Sequence, residues 1–222
     1  MKHQIPATKF VEFHEGEKVI FYPHVHFDGV ISIYNIWLPH IFEETELDEF
    51  INQYVGIWEV MTYFVELLKA KKVTEIGTCK GYSTRIFSRA LKKTGGKLIS
   101  IDRVDHKIPQ SILKTLNNVE FIKADIMKHD LEETDILYID DWHNQFHLYE
   151  ELVKFSSKAK VIMIHDIMAG YDNSPFLLNG VLNWCMRNFM PVTLYPLNFC
   201  GLAVIECAKF RDFYSTHKSH VS

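Results

Sequence analysis

Two hydrophobic periods alternate along the chain, and their order predicts its architecture. From Lys18 to Tyr34, VIFYPHVHF and VISIY alternate apolar with polar residues on either side of Asp28-Gly29, which predicts a hairpin or two short strands. From Asp48 to Lys72 the apolar residues, among them Phe50, Tyr54, Trp58, Met61, Val65 and Leu68, recur near helical spacing. They predict one or two helices, with Gly56 as a break or cap.

From Val73 onward short apolar runs alternate with amphipathic ones. Val73–Ile76 reads as a strand, Gly77 and Gly81 bound a loop, and Tyr82–Lys92 is a helix stopped by Thr94-Gly95-Gly96. KLISID is a second strand ending on Asp102. His106–Leu116 is a weaker helix interrupted by Pro109, Asn117-Asn118 is a turn, and VEFIKAD is a third strand ending on Asp125. DILYIDD, residues 135–141, is a fourth strand whose continuous apolar residues suit a strand covered on both faces. A helix over Gln145–Ser157, a fifth strand AKVIMIHDI and a helix over Leu177–Asn188 follow. PVTLYPLN and GLAVIECA then form a closing antiparallel hairpin with Phe199-Cys200-Gly201 near its turn, and the chain frays beyond Phe210. The pattern predicts a doubly wound α/β fold, with a mainly parallel sheet and an antiparallel last strand. Residues 1–57 are an N-terminal extension, a cap or oligomerisation segment; 58–208 are the main domain and 209–222 a tail.

Composition narrows the class. At 222 residues, 47% hydrophobic and 14% aromatic, the chain can bury a sizeable core, and no apolar run reaches the length of a membrane span. Its start, MKHQIPATKF, lacks the basic-then-apolar pattern of a secretory signal. Cys79, Cys185, Cys200 and Cys207 have neither Cys-x-x-Cys spacing nor disulfide-scaffold density and read as small buried hydrophobes in reducing cytosol. A cytoplasmic location is the expectation. A formal charge of -4 argues against a nucleic-acid partner. His24 and His26 share a strand face, but without a third ligand nearby they read as ordinary half-buried or surface imidazoles.

The glycine loop is not a phosphate cradle of the usual kinds. It lacks the Gly-Lys-Ser/Thr end of a Walker loop, and Thr78-Cys79 removes the central glycine of a dinucleotide fingerprint. Glu75 at the loop would repel a pyrophosphate and favour an ammonium, so a cationic ligand is expected. Asp102, at a strand end beyond the loop, stands where an acid grips ribose hydroxyls in nucleoside-binding α/β folds.

Glu75-x-Gly77-x-x-x-Gly81-Tyr82-Ser83, after a strand and before a helix, resembles the first motif of the class I S-adenosylmethionine-dependent methyltransferases. The resemblance implies that Glu75, Gly77, Thr78, Gly81, Tyr82, Ser83, Asp102, Arg103, Asp125 and Asp140 bind S-adenosylmethionine, with Ala124 and Asp125 beside the adenine. Asp140-x-x-His143, with the later His165-Asp166 pair, resembles metal-dependent small-molecule O-methyltransferases of the catechol and the macrolide-sugar and cephalosporin-tailoring types. Asp140, Asp166 and His165 would hold a divalent ion such as Mg²⁺, and His143, with an unperturbed pKa near about 6.5, would be the base beside catalytic Asp140. The chain departs from these types. The catechol type has a lysine in place of His143 and an asparagine ligand where Ile167 stands. The sugar-tailoring type has an acid in place of His165, and an imidazole there makes the site less hard.

The function expected is transfer of a methyl group to a hydroxyl of a small molecule such as a sugar or phenol, by a soluble protein for which both a monomer and a homo-oligomer stay open. Two alternatives stay open: a metal-independent O- or N-methyltransferase using His143 alone, and a catalytically silent nucleoside-binding protein of the same fold. His147, a turn beyond His143, is read as a bystander.

Overall fold

A computed structural model of the protein describes residues 20–27, 31–37, 55–105, 108, 116–168, 175–195 and 200–207. The turn expected at Asp28-Gly29, most of the helix expected over 106–116, the loop 169–174 and the tail lie outside them. The elements are β1 (Ile20–Phe27), β2 (Ile31–Trp37), α1 (Val55–Leu67), β3 (Lys72–Ile76), α2 (Tyr82–Thr94), β4 (Lys97–Asp102), β5 (Val119–Lys123), β6 (Thr134–Ile139), α3 (Gln145–Phe155), β7 (Ala159–His165), α4 (Pro175–Asn188), β8 (Val192–Tyr195) and β9 (Leu202–Glu206).

All nine strands form one sheet in the order β1-β2-β8-β9-β7-β6-β3-β4-β5. From β5 to β7 neighbouring strands are parallel, and β9 runs antiparallel to both β7 and β8. The expected hairpin of β1 and β2 pairs antiparallel, with an irregularity between Pro23 and Val25, and its β2 joins the edge of β8 in parallel. The chain order reverses at β3, whose neighbours are β4 on one side and β6 on the other. Open α/β sheets present ligands beyond the carboxyl ends of the strands at such a switch.

Strand parity assigns each side chain to one of two cores. Val73, Leu98, Ile136, Tyr138 and Met163 pack with Ile57, Met61, Phe87 and Leu91 of α1 and α2. Leu137, Ile139, Ile162 and Ala203 pack with Leu152, Phe155 and Trp184 of α3 and α4. Both faces are covered, which is why the central strands read as continuous apolar runs. No helix among the described residues is long and apolar enough to cross a membrane.

Phe87 ties α2 to the strand that ends at the candidate site. It is completely buried and meets the ring of Tyr138 edge-on, with centroids 5.2 Å apart. Phe87→Ala is expected to cost about 3–5 kcal/mol in urea or guanidinium unfolding, the range for emptying a buried aromatic site. A cost below about 1 kcal/mol would show that this contact does not hold the helix to the sheet.

Candidate active site

A cleft of about 580 Å³ opens beyond the carboxyl ends of β3, β4, β6 and β7. Its floor begins at the glycine loop. Gly77 has φ +94°, and its N–H continues the sheet by donating to the Ile101 carbonyl at 2.9 Å. A Cβ on Gly77 would lie 2.2 Å from the Asp140 carbonyl oxygen, so the loop after β3 and the loop after β6 touch backbone to backbone. Gly81 caps α2 at φ 78°, a left-handed conformation that glycine adopts without strain. Gly77, Thr78, Tyr82 and Ser83 line the cleft.

Glu75 is placed differently from the expectation. Its side chain does not line the cleft; it points into the sheet-to-α2 layer and is 0% exposed. Three hydroxyls enclose it: Ser83 donates to Oε1, and Thr84 and Ser100 donate to Oε2, each at 2.6 Å. Ser100 faces Glu75 because the two are register partners across β3 and β4. Burial pushes the carboxyl up to about 7, against the pull of these hydroxyls. Glu75 therefore reaches the cleft through Ser83 rather than by presenting an acid to it.

Asp102 does stand on the cleft wall, and its carboxylate also pins the loop. Oδ2 accepts the Thr78 N–H at 2.9 Å and the Cys79 N–H at 3.2 Å, while Oδ1 accepts the Val104 N–H at 2.8 Å. Arg103 lines the cleft beside it, its guanidinium carbon 5.9 Å from the centre of the Trp142 ring. Asp125 also lines the cleft, but β5 stops at Lys123 rather than at Asp125. The strand ends early because Asp125 caps a short 3₁₀ turn over Ile126–Lys128, accepting the Met127 N–H at 3.1 Å. Lys128 Nζ lies 3.3 Å from its other oxygen.

Asp140, His143, His165 and Asp166 meet at one rim of the cleft, as adjacency of β6 and β7 requires. His143 Nε2 lies 3.2 Å from Asp166 Oδ2 and 3.6 Å from Asp140 Oδ1. One ligand-capable atom of each of these three residues falls within 4.8 Å of the others. Asp166 reaches this position from a left-handed backbone, φ 56°. His143 thus joins the two acids at the rim, and ligand-capable atoms of the expected His165 also lie within 4.8 Å of those of Asp166 and Cys200. The His165 ring lies deeper, with Nδ1 3.2 Å from Asp140 Oδ1 and 3.4 Å from Asp166 Oδ1. Despite burial, the charges of Asp140 and Asp166 hold His165 well above its usual range, and the imidazoles of His165 and His143 bring Asp140 below its own. The hydrogen bond that His143 donates to Asp140, with the charges of both acids, also raises His143 against its burial.

Several residues of the site carried no signal in the sequence. The Tyr138 hydroxyl donates to Asp140 Oδ2 at 3.3 Å, and Trp58 reaches the cleft from α1. Cys200 brings its sulfur within 4.8 Å of ligand-capable atoms of His165 and Asp166. Asp141, Trp142 and His147 also line the cleft, and His147 is more than a bystander: its Nε2 lies 3.2 Å from Asp141 Oδ2. The one-turn spacing from His143 already pointed His147 toward the same mouth, and the His147/Glu151 spacing of four residues places those two on one helix face.

Comparison with known proteins agrees with this architecture. A family described as a methyltransferase domain matches residues 74–167. An O-methyltransferase from Bacillus cereus, solved with S-adenosylhomocysteine (SAH), aligns with a TM-score of 0.50 at 16% identity, covering 74% of this chain and 84% of that one. SAH-bound methyltransferase PaMTH1 from Podospora anserina gives a TM-score of 0.50 at 12% identity, covering 73% and 83%. At these identities the likeness is one of fold. No curated protein matches the chain.

The buried Glu75 makes a pH prediction. Its folded pKa, about 7, exceeds its ordinary 4.5, so its contribution to stability is whole below about 4.5 and is lost as pH rises through about 7. Relative to Glu75→Gln, the wild type is expected to lose up to about 3 kcal/mol of unfolding free energy across that window. Urea unfolding of both proteins at several pH values checks this; a difference that does not change with pH would contradict it.

Proposed function

We propose that this chain is a class I S-adenosylmethionine-dependent methyltransferase that transfers the methyl group to a hydroxyl of a small molecule with help from a divalent ion. The observation behind this reading is the convergence of Asp140, His143 and Asp166 at the rim of the cleft.

In this reading the cofactor lies along the glycine loop. Thr78, Gly81, Tyr82 and Ser83 border its amino-acid end, Asp102 and Arg103 its ribose, and Asp125 its adenine. Asp102 accepts the N–H groups of Thr78, Cys79 and Val104 and so is fixed at that wall. Bound S-adenosylmethionine supplies a methyl already activated on a sulfonium sulfur, and what the protein must add is alignment and removal of the acceptor's proton.

Asp140 and Asp166 fit a hard divalent cation: two ionisable carboxylates, with oxygens within 4.8 Å of each other, share one rim of a cleft open to water and to a substrate oxygen. Such an ion, when present, lowers the pKa of a bound hydroxyl. His143, half-exposed at the rim, accepts that proton at Nε2. His165 keeps Asp140 ionised and oriented from behind, and Tyr138 fixes its second oxygen.

A second reading rests on the 3.2 Å approach of His143 to Asp166, which could orient the imidazole as a base without any metal. Methyl-labelled S-adenosylmethionine offered with a panel of phenols, catechols and sugars separates the two. The expected result is labelled product that disappears on chelation and returns with Mg²⁺, and that falls by about 10²–10⁴-fold in His143→Gln. Turnover indifferent to chelation selects the metal-free reading. Labelling of amines alone would overturn the oxygen acceptor.

A further inference from the structure

We propose that Asp141, His147 and Glu151 form a second ion site, distinct from the Asp140, His143 and Asp166 set, that takes a first-row divalent transition ion of the Zn²⁺ type. These residues have no part in the methyl-transfer chemistry proposed above, so the site stands or falls separately.

The placement follows from the helix. His147 and Glu151 are four residues apart on α3 and therefore lie on one face, and Asp141 is held against that face by the loop after β6. Asn144 fixes where the helix begins, its side-chain oxygen accepting the N–H groups of Phe146 and His147 at 2.9 and 3.2 Å.

The distances are those of a chelate. His147 Nε2 lies 3.2 Å from Asp141 Oδ2 and 3.6 Å from Glu151 Oε1, and one ligand-capable atom of each residue falls within 4.8 Å of the others. A tetrahedral ion with bonds of about 2.0–2.1 Å separates its ligand atoms by about 3.3 Å. One imidazole nitrogen with two carboxylates suits Zn²⁺, Co²⁺ or Mn²⁺ better than Mg²⁺, which prefers oxygen and retains its waters. Asp141 and His147 line the cleft, so a fourth position can face it. The Trp142 ring, 5.4 Å from that of His147, borders the same place.

An independent observation points to a ligand at this cluster. The Glu151 side chain is completely buried, and neither of its oxygens has a hydrogen-bond partner. A buried acid either stays protonated, as burial and the Asp141 charge favour for Glu151, or is paired or ligated, because removing its charge from water without compensation is costly. Its near neighbours in the cluster are the His147 nitrogen and another acid, Asp141, and a divalent ion between the three would satisfy all of them.

Co²⁺ titration of the full-length, chelator-stripped protein, followed by visible absorption, tests the site. Asp166→Asn is expected to retain the bands of low-coordinate Co²⁺, and adding Glu151→Gln to that background is expected to weaken binding at least about tenfold. Zn²⁺ should displace the Co²⁺ and raise the melting temperature of Asp166→Asn but not that of the double variant. Should the double variant fail to fold, His147→Ala in the same background makes the same test at a partly exposed position. Bands absent from Asp166→Asn, or unchanged on adding Glu151→Gln or His147→Ala, would overturn the site. Neither result bears on the methyl-transfer assay.

Discussion

The contact on which the site depends is between two backbones. Gly77 lies so close to the Asp140 carbonyl that no side chain fits between them, and the N–H of Asp140 donates to the Ile76 carbonyl at 2.8 Å. Strands β3 and β6 are thereby drawn together up to the point where both leave the sheet. Everything that follows in the chain, the helix on one side and the Asp140–His143 turn on the other, starts from that shared edge. A parallel sheet with its chain reversal at β3 would leave a crevice here in any case. The missing Cβ makes the crevice narrow enough for one ligand to touch both loops.

Charge is managed in two layers around this edge. Glu75 lies inside, where hydroxyls from α2 and β4 surround it and couple the inner layer to Ser83 at the cleft. At the rim each acid has a histidine beside it: His165 and His143 with Asp140, His143 with Asp166, and His147 with Asp141. Adjacent residues Asp140 and Asp141 thus head two separate imidazole–carboxylate groups, and the outer one includes a buried acid whose oxygens lack hydrogen bonds.

Much of this was legible in the sequence, for physical reasons that name its limits. The parallel strands and their helices were written in apolar runs with polar stops, and the meeting of Asp140 with Asp166 follows once β6 and β7 are neighbours. The hairpin of β1 and β2 was visible in its alternation, but not its pairing with β8, which joins segments far apart in the chain. Glu75 was assigned to the cleft from its place in a motif. Strand parity puts it with Val73 on the α2 side and gives the cleft Ile76 instead. His143 was placed beside Asp140 by its spacing, but its 3.2 Å approach to Asp166 depends on the left-handed backbone of Asp166, which sequence does not show. Asp125 shows a local bond overriding a strand: its side chain ends β5 by capping the turn.

If closeness of the two loops at Gly77 forms the proposed cofactor site, calorimetric titration of Gly77→Ala with S-adenosylhomocysteine is the decisive measurement. The added methyl meets the Asp140 backbone at a left-handed φ, so the account predicts a protein in which binding is lost or weakened at least about 100-fold relative to the wild type. A folded variant that takes up the nucleoside with wild-type affinity would contradict it.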